Sequence, residues 1–148
     1  MSLESRIMND LKAAMKAKDQ AALRALRAVK AAIQLAKTDG SGKPIDEARE
    51  IQILQQLVKQ RKESLETYEK NERPDLAAKE REELEIIEKY LPAQLNDSEL
   101  EDILKKIIEE VGAQSPKDLG RVMGVAVKRL AGQADGRRIS EAARKLLS

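Results

Sequence analysis

The chain has 148 residues, 41% hydrophobic and 36% charged, with a net charge of only +2, no Phe, Trp, His or Cys, and two Tyr. That length suits one domain or two small ones, with a core that must be built from Leu, Ile, Val, Ala and Met. The missing residue types exclude disulfides, a thiol nucleophile, a Ser-His-Asp triad and zinc held by His or Cys, and no metal or other cofactor is expected.

Apolar residues recur at helical spacing from the start. Leu3, Ile7, Leu11, Ala14 and Met15 form one stripe. Leu23, Leu26, Val29, Ile33 and Ala36 form a second after Asp19-Gln20, so residues 1–37 read as two antiparallel helices. The loop "TDGSGKP" follows, and a long helix is expected from about Ile45 to Lys70 with the stripe Ile51, Leu54, Leu57, Val58, Leu65 and Tyr68. Pro74 restarts the pattern as Leu76, Leu84, Ile87 and Leu91, until Pro92 stops it.

"YLPAQLNDSEL" marks the expected domain boundary. Asn96 and Glu99 have the spacing of a capping box, and Leu100, Ile103, Leu104, Ile107 and Val111 continue the helix to Gly112. "SPKD" predicts another start, with Ser115 as cap and Pro116 in the first turn, for a helix ending near Leu130. Asp135 is placed to cap a last helix carrying Ile139, Ala142, Ala143 and Leu146. Strand-like alternation is absent. The expected class is all-α: about four helices in an N-terminal part over residues 1–92, then a small three-helix domain over 96–148.

Charge is unevenly spread. Residues 1–37 hold eight Lys/Arg against three Asp/Glu, residues 38–112 twelve against twenty, and residues 113–148 eight against three. Basic ends around an acidic middle suit an anionic partner, or contact between the ends and the middle. No apolar run approaches the roughly 18 residues of a membrane span, and "MSLESRIMND" has no signal-peptide hydrophobic segment. A cytoplasmic protein with no membrane partner is the expectation.

Two motifs lose to plainer readings. "GSGK" at 40–43 lacks the preceding strand, the earlier glycine and the following Ser or Thr of a phosphate-binding loop, so it reads as a flexible loop. "KEREELEIIEK" at 79–89 concentrates carboxylates, but interleaved Lys79, Arg81 and Lys89 make it a solvated face with ordinary ion pairs.

The C-terminal third is more informative. Gly120 and Gly124 lie inside a helix, where each costs about 1 kcal/mol relative to alanine. For Gly120, nearer the apolar side, packing by a neighbouring helix is the expected compensation. Gly124 points elsewhere. On a wheel of about 100° per residue, Lys117, Arg121, Gly124 and Lys128 fall in a stripe opposite Leu119, Val122, Met123, Ala126 and Leu130. Arg137 and Arg144 lie opposite the apolar stripe of the last helix, with Arg138 to one flank. Cations interrupted by glycines provide what phosphate needs: charged donors, and exposed backbone N–H groups with no side chain in between. The plainer alternative is a Lys/Arg-rich face that serves solubility. With no aromatic platform in this part, a folded duplex RNA read by shape suits it better than single-stranded bases.

"EREELEIIEKYLPAQLNDSEL" (80–100), "DLGRVMG" (118–124) and "GQADGRR" (132–138) resemble, in order and spacing, the GatB/YqeY family. "LRALRAVKAAI" and "VKQRKES" are similar to its N-terminal segments, so the resemblance covers essentially the whole chain and is that of a stand-alone YqeY-like member. It implies a larger helical N-terminal part and a small helical domain shared with the tail of the GatB subunit of glutamine-dependent aspartyl/glutamyl-tRNA amidotransferase. In that enzyme the tail helps hold tRNA, and amide transfer occurs on a separate catalytic domain that this chain does not resemble. The family label of carbon–nitrogen ligase with glutamine as amido donor therefore belongs to the complex, and no catalytic residue is assigned. Gln133 stands where the family usually has a basic residue, and Arg138 where an aliphatic one is common.

The expectation is a tRNA-binding accessory protein whose partner is tRNA or another folded RNA, or a tRNA-modifying or synthetase complex. Lys117, Arg121, Lys128, Arg137 and Arg138 would contact phosphates, and Gly124, Gly132 and Gly136 would permit close approach. The alternative is a helical protein–protein adaptor using the acidic segment 80–102 or the basic N-terminal helices.

Overall fold

In the computed structural model, which describes residues 2–40, 42 and 44–148, the chain divides into two compact units, Met1–Leu91 and Pro92–Ser148. Every regular element among the described residues is helical.

The first unit holds α1 (Leu3–Ala17), α2 (Gln20–Lys37), α3 (Glu47–Lys70) and α4 (Pro74–Glu88). Local chemistry sets their limits. Asp19 accepts from the Ala22 amide at 3.1 Å and Asp46 from the Arg49 amide at 2.8 Å, each satisfying a first-turn N–H that the helix cannot. Pro74 opens α4, where its missing N–H costs nothing. α3 and α4 pack along one another, and α2 packs on α1, α3 and α4. Their buried faces, from Leu3 and Ile7 through Val29 and Ile33 to Leu54 and Ile87, form one apolar core. Ile53 is buried although the expected α3 stripe did not include it.

Polar contacts close the edges of this unit. The Tyr90 hydroxyl donates to the Asp10 carboxylate, and the Arg6 guanidinium lies 5.1 Å from the centre of the Tyr90 ring. Burial, then the Asp10 contact, push the phenol above its ordinary pKa. The acidic run of α4 does form ion pairs, but with other helices: Glu82 holds Arg24 of α2 at 2.9 Å and Arg81 holds Glu69 of α3 at 2.9 Å. The "GSGK" loop includes Ser41 and Lys43, which lie outside the described residues.

The second unit holds α5 (Asp97–Val111), a single 3-10 turn (Pro116–Asp118), α6 (Leu119–Arg129) and α7 (Gly136–Leu147). The three helices pack pairwise around Leu100, Leu104, Ile107, Val122, Ala126, Leu130, Ile139 and Ala143. The Asn96–Glu99 capping box forms in both directions, at 2.8 and 3.1 Å, and Gly112 ends α5 in the left-handed region (φ +69°). Asp135 caps α7 by accepting from the Arg138 amide at 2.8 Å.

One expected start differs. The Ser115 side chain makes no capping bond, and the chain enters α6 through the 3-10 turn. The Asp118 carboxylate reaches back instead to the Gln114 amide at 2.9 Å.

Candidate nucleic-acid interface

The outward side of α6 is set by its inward side. Val122 and Ala126 are fully buried, with Leu119 and Met123 partly so, which turns Gly120, Arg121, Gly124, Val127 and Lys128 to solvent. A Cβ added at Gly120 or at Gly124 would meet nothing within 4 Å. This corrects the expectation that a neighbouring helix packs on Gly120: α5 and α7 pack on the Val122–Ala126 face and leave it clear, so neither glycine is required by packing inside the fold. The expectation of exposed backbone donors also changes. In the interior of α6 the Gly124 N–H belongs to the helix ladder, so its bare Cα offers closeness of approach, not a free donor.

The cations around this face divide into free and engaged. Lys117 and Lys128 are exposed and make no ion pair among the described residues; Arg144 and Lys145 on α7 are likewise unpaired. Arg121 is tethered. Its Nη1 donates to the Val111 carbonyl at the end of α5 (3.1 Å) and its Nη2 to Asp118 (3.0 Å), while much of the side chain stays exposed. The Gln114 amide, then Arg121, hold the Asp118 carboxyl below the usual carboxylate range. Arg129 pairs with Glu110, whose carboxyl it holds down in the same way.

At the α6–α7 turn the sequence-predicted residues separate further. Arg137 is 88% exposed and, among the described residues, pairs only with Glu141, one turn along the same helix, at 3.2 Å. Gly136 opens α7 with open space at its Cβ position. Arg138 points the other way. Its Nη2 donates to the Leu95 carbonyl at 2.9 Å and to Asp97 at 3.0 Å, and its side chain is only 33% exposed.

Gly132 is buried, adopts φ +80°, and accepts from Gln94 Nε2 at 2.6 Å, while Leu95 N–H donates to the Gln133 carbonyl at 2.9 Å. The reading of Gly132 as a point of ligand approach is thereby corrected: it shapes the turn from within. The structure places Arg121, Gly124 and Lys128 on α6 with Lys117 in the 3-10 turn just before it, and leaves Arg137 and Gly136 open on α7. Arg138 and Gly132 are committed to a strap that holds segment 94–97 against the turn. Exposed Val127 and Gly120 belong to the same surface and were not among the expected residues.

Among the described residues no three acidic side chains gather to hold a metal ion, and no helix is long and apolar enough to cross a membrane.

The sequence profile of the family described as Yqey-like protein matches residues 4–147. The chain belongs to that family. It is 34% identical over 119 residues to "Altered inheritance of mitochondria protein 41, mitochondrial" of Vanderwaltozyma polyspora, covering 76% of this chain and 64% of that protein. The corresponding protein of Lachancea thermotolerans is 34% identical over 113 residues, 74% of this chain and 60% of the relative. That of Saccharomyces cerevisiae is 32% identical over 133 residues, 88% and 69% respectively. The match thus spans slightly less than two thirds of the first two relatives.

These names overturn the cytoplasmic placement, because the relatives are named mitochondrial proteins. That placement rested on the lack of a long apolar run and of a secretory signal, conditions that a mitochondrial protein also meets.

Proposed function

We propose that this YqeY-like protein is a tRNA-binding accessory protein. In this reading its first helical domain, residues 1–92, carries a second, residues 96–148, that corresponds to the tail of the GatB amidotransferase subunit. The observation that carries the proposal is the outer face of α6. Two helical glycines stand there with open space above them, beside the unpaired Lys117 and Lys128.

An RNA backbone laid along this face approaches closely at Gly124 and is met by Lys117, Lys128 and the exposed part of Arg121. Arg137 and the bare start of α7 at Gly136 extend the surface around the corner. Arg138 holds the turn in shape from behind. Because phosphates and not base edges are met, binding is expected to favour folded RNA of many sequences over any one of them. Nothing assigned here performs chemistry on the RNA. The amido-transfer label of the wider family stays with complexes that contain a catalytic subunit.

The test is a titration of bulk tRNA into the purified protein at several salt concentrations. Four phosphate contacts give a slope of log K against log salt of about −3 to −4. Binding of roughly micromolar strength with that slope supports the proposal, while no binding at low salt refutes it for this chain.

A further inference from the structure

α1 presents a second surface, unrelated to α6. Its inward stripe, Leu3, Ile7, Leu11 and Ala14, is buried in the core of the first unit. Around the helix from that stripe, Met8 and Met15 stand 38% and 60% exposed. Seven residues separate them, so they share nearly one angular position about 11 Å apart along the axis. Lys12 lies between them, four residues after one and three before the other, exposed Lys16 follows one turn later, and exposed Lys18 stands just past the helix end as its C-cap.

The charge on this face is uncompensated. The only carboxylates in residues 1–37 are Glu4, Asp10 and Asp19, and each is engaged elsewhere. Glu4 pairs with Lys37, Asp10 accepts from Tyr90, and Asp19 caps α2. Lys12, Lys16 and Lys18 make no ion pair among the described residues.

We infer that this face of α1 is a docking surface for an acidic amphipathic helix of another protein, apolar along its centre and carboxylate-bearing along its edges. Single exposed apolar residues are common and mean little. Here two methionines bracket a lysine on one face, and methionine's unbranched thioether adapts to varied apolar partners. An RNA would use the lysines and leave both methionines idle. A second copy meeting this face with its own would set lysines against lysines, because a two-fold contact is self-complementary in shape and not in charge. An acidic helix uses both features: its apolar stripe covers Met8 and Met15 while its carboxylates meet Lys12, Lys16 and Lys18.

The experiment uses the full chain and a labelled synthetic helix with leucines at helical spacing and glutamates on its flanks, followed by fluorescence anisotropy. Two double variants are compared, Met8→Ser with Met15→Ser and Lys12→Glu with Lys16→Glu. All four side chains are exposed, so folding should survive, as circular dichroism would verify. Each double variant is expected to weaken binding about tenfold or more, and Lys12→Arg with Lys16→Arg to retain it. Binding that ignores the methionines would show charge attraction alone and overturn the inference, as would no binding at all. Two further outcomes also overturn it: bulk tRNA held on this face and lost only in the glutamate variant, or concentration-dependent self-association that both double variants abolish.

Discussion

Replacing Gly124 with alanine separates fold from function by sign. The added methyl meets nothing within 4 Å, so there is no steric cost to set against the gain in helix propensity. Alanine in a helix interior is worth about 0.5–1 kcal/mol over glycine, partly through a less flexible unfolded chain. For a small helical unit that raises the melting temperature by about 2–8 °C. The same methyl stands on the face proposed to receive RNA, where it forces the backbone outward by a good part of its own width. Because the Gly124 N–H belongs to the helix ladder, no donor is lost. The penalty is the lost proximity to Lys117, Lys128 and the bare Cα, worth about 0.7–1.4 kcal/mol, or a three- to tenfold weaker tRNA affinity. Thermal melts by circular dichroism and tRNA titration at one low salt concentration measure both. Greater stability with weaker binding is the expected pair. Greater stability with unchanged binding would refute the placement of RNA on α6. A loss of stability would refute the claim that nothing in the fold needs this glycine.

Arg138→Ala should cost about 1–2 kcal/mol, because it removes a charge-assisted bond to the half-buried Leu95 carbonyl along with a weak pair to exposed Asp97. Arg137→Ala, which loses only a solvated pair to Glu141, should cost less than about 0.5 kcal/mol while lowering tRNA affinity. Urea titrations of both settle the contrast, and equal costs would contradict the strap. Removing the Asp135 cap with Asp135→Ala should cost about 1 kcal/mol, read as earlier amide exchange in the first turn of α7. Acid should loosen the second unit in a definite window. Asp118 and Glu110 have depressed folded-state pKa values, so their stabilisation is complete above the unfolded value of about 4 and is lost as pH falls through the lower folded values. Melts from pH 7 to 3 should be flat at first and then decline, and Asp118→Asn should flatten that decline.

The helices were legible because their limits are local. Pro74 acts through its own ring and missing N–H, and the Asn96–Glu99 pair, Gly112 and Asp135 through bonds within a few residues, and each performs the expected task. What stayed hidden depends on distance along the chain. Arg138 reads as one more surface cation until the fold brings Leu95, 43 positions earlier, within its reach. Gly120 sits near the apolar side of its wheel, yet a wheel does not show that α5 and α7 leave that angle open. Ser115 has the composition of a cap, but the 3-10 entry and the reach of Asp118 to Gln114 displace it. The charged run of α4 shows the same limit, since the spacing suggested pairs within one helix, whereas Glu82 meets Arg24 of α2 and Arg81 meets Glu69 of α3.

The two tyrosines, Tyr68 and Tyr90, both fall within the Met1–Leu91 unit, and the chain has no tryptophan. The protein therefore carries its own optical label. Tyrosine emission and near-ultraviolet signals report on the first helical unit alone, whereas far-ultraviolet dichroism reports on both. Comparing the two signals in one melt resolves whether the units unfold together or separately, with no added dye and no substitution. The Pro92–Ser148 unit, silent in that channel, adds only to the far-ultraviolet signal.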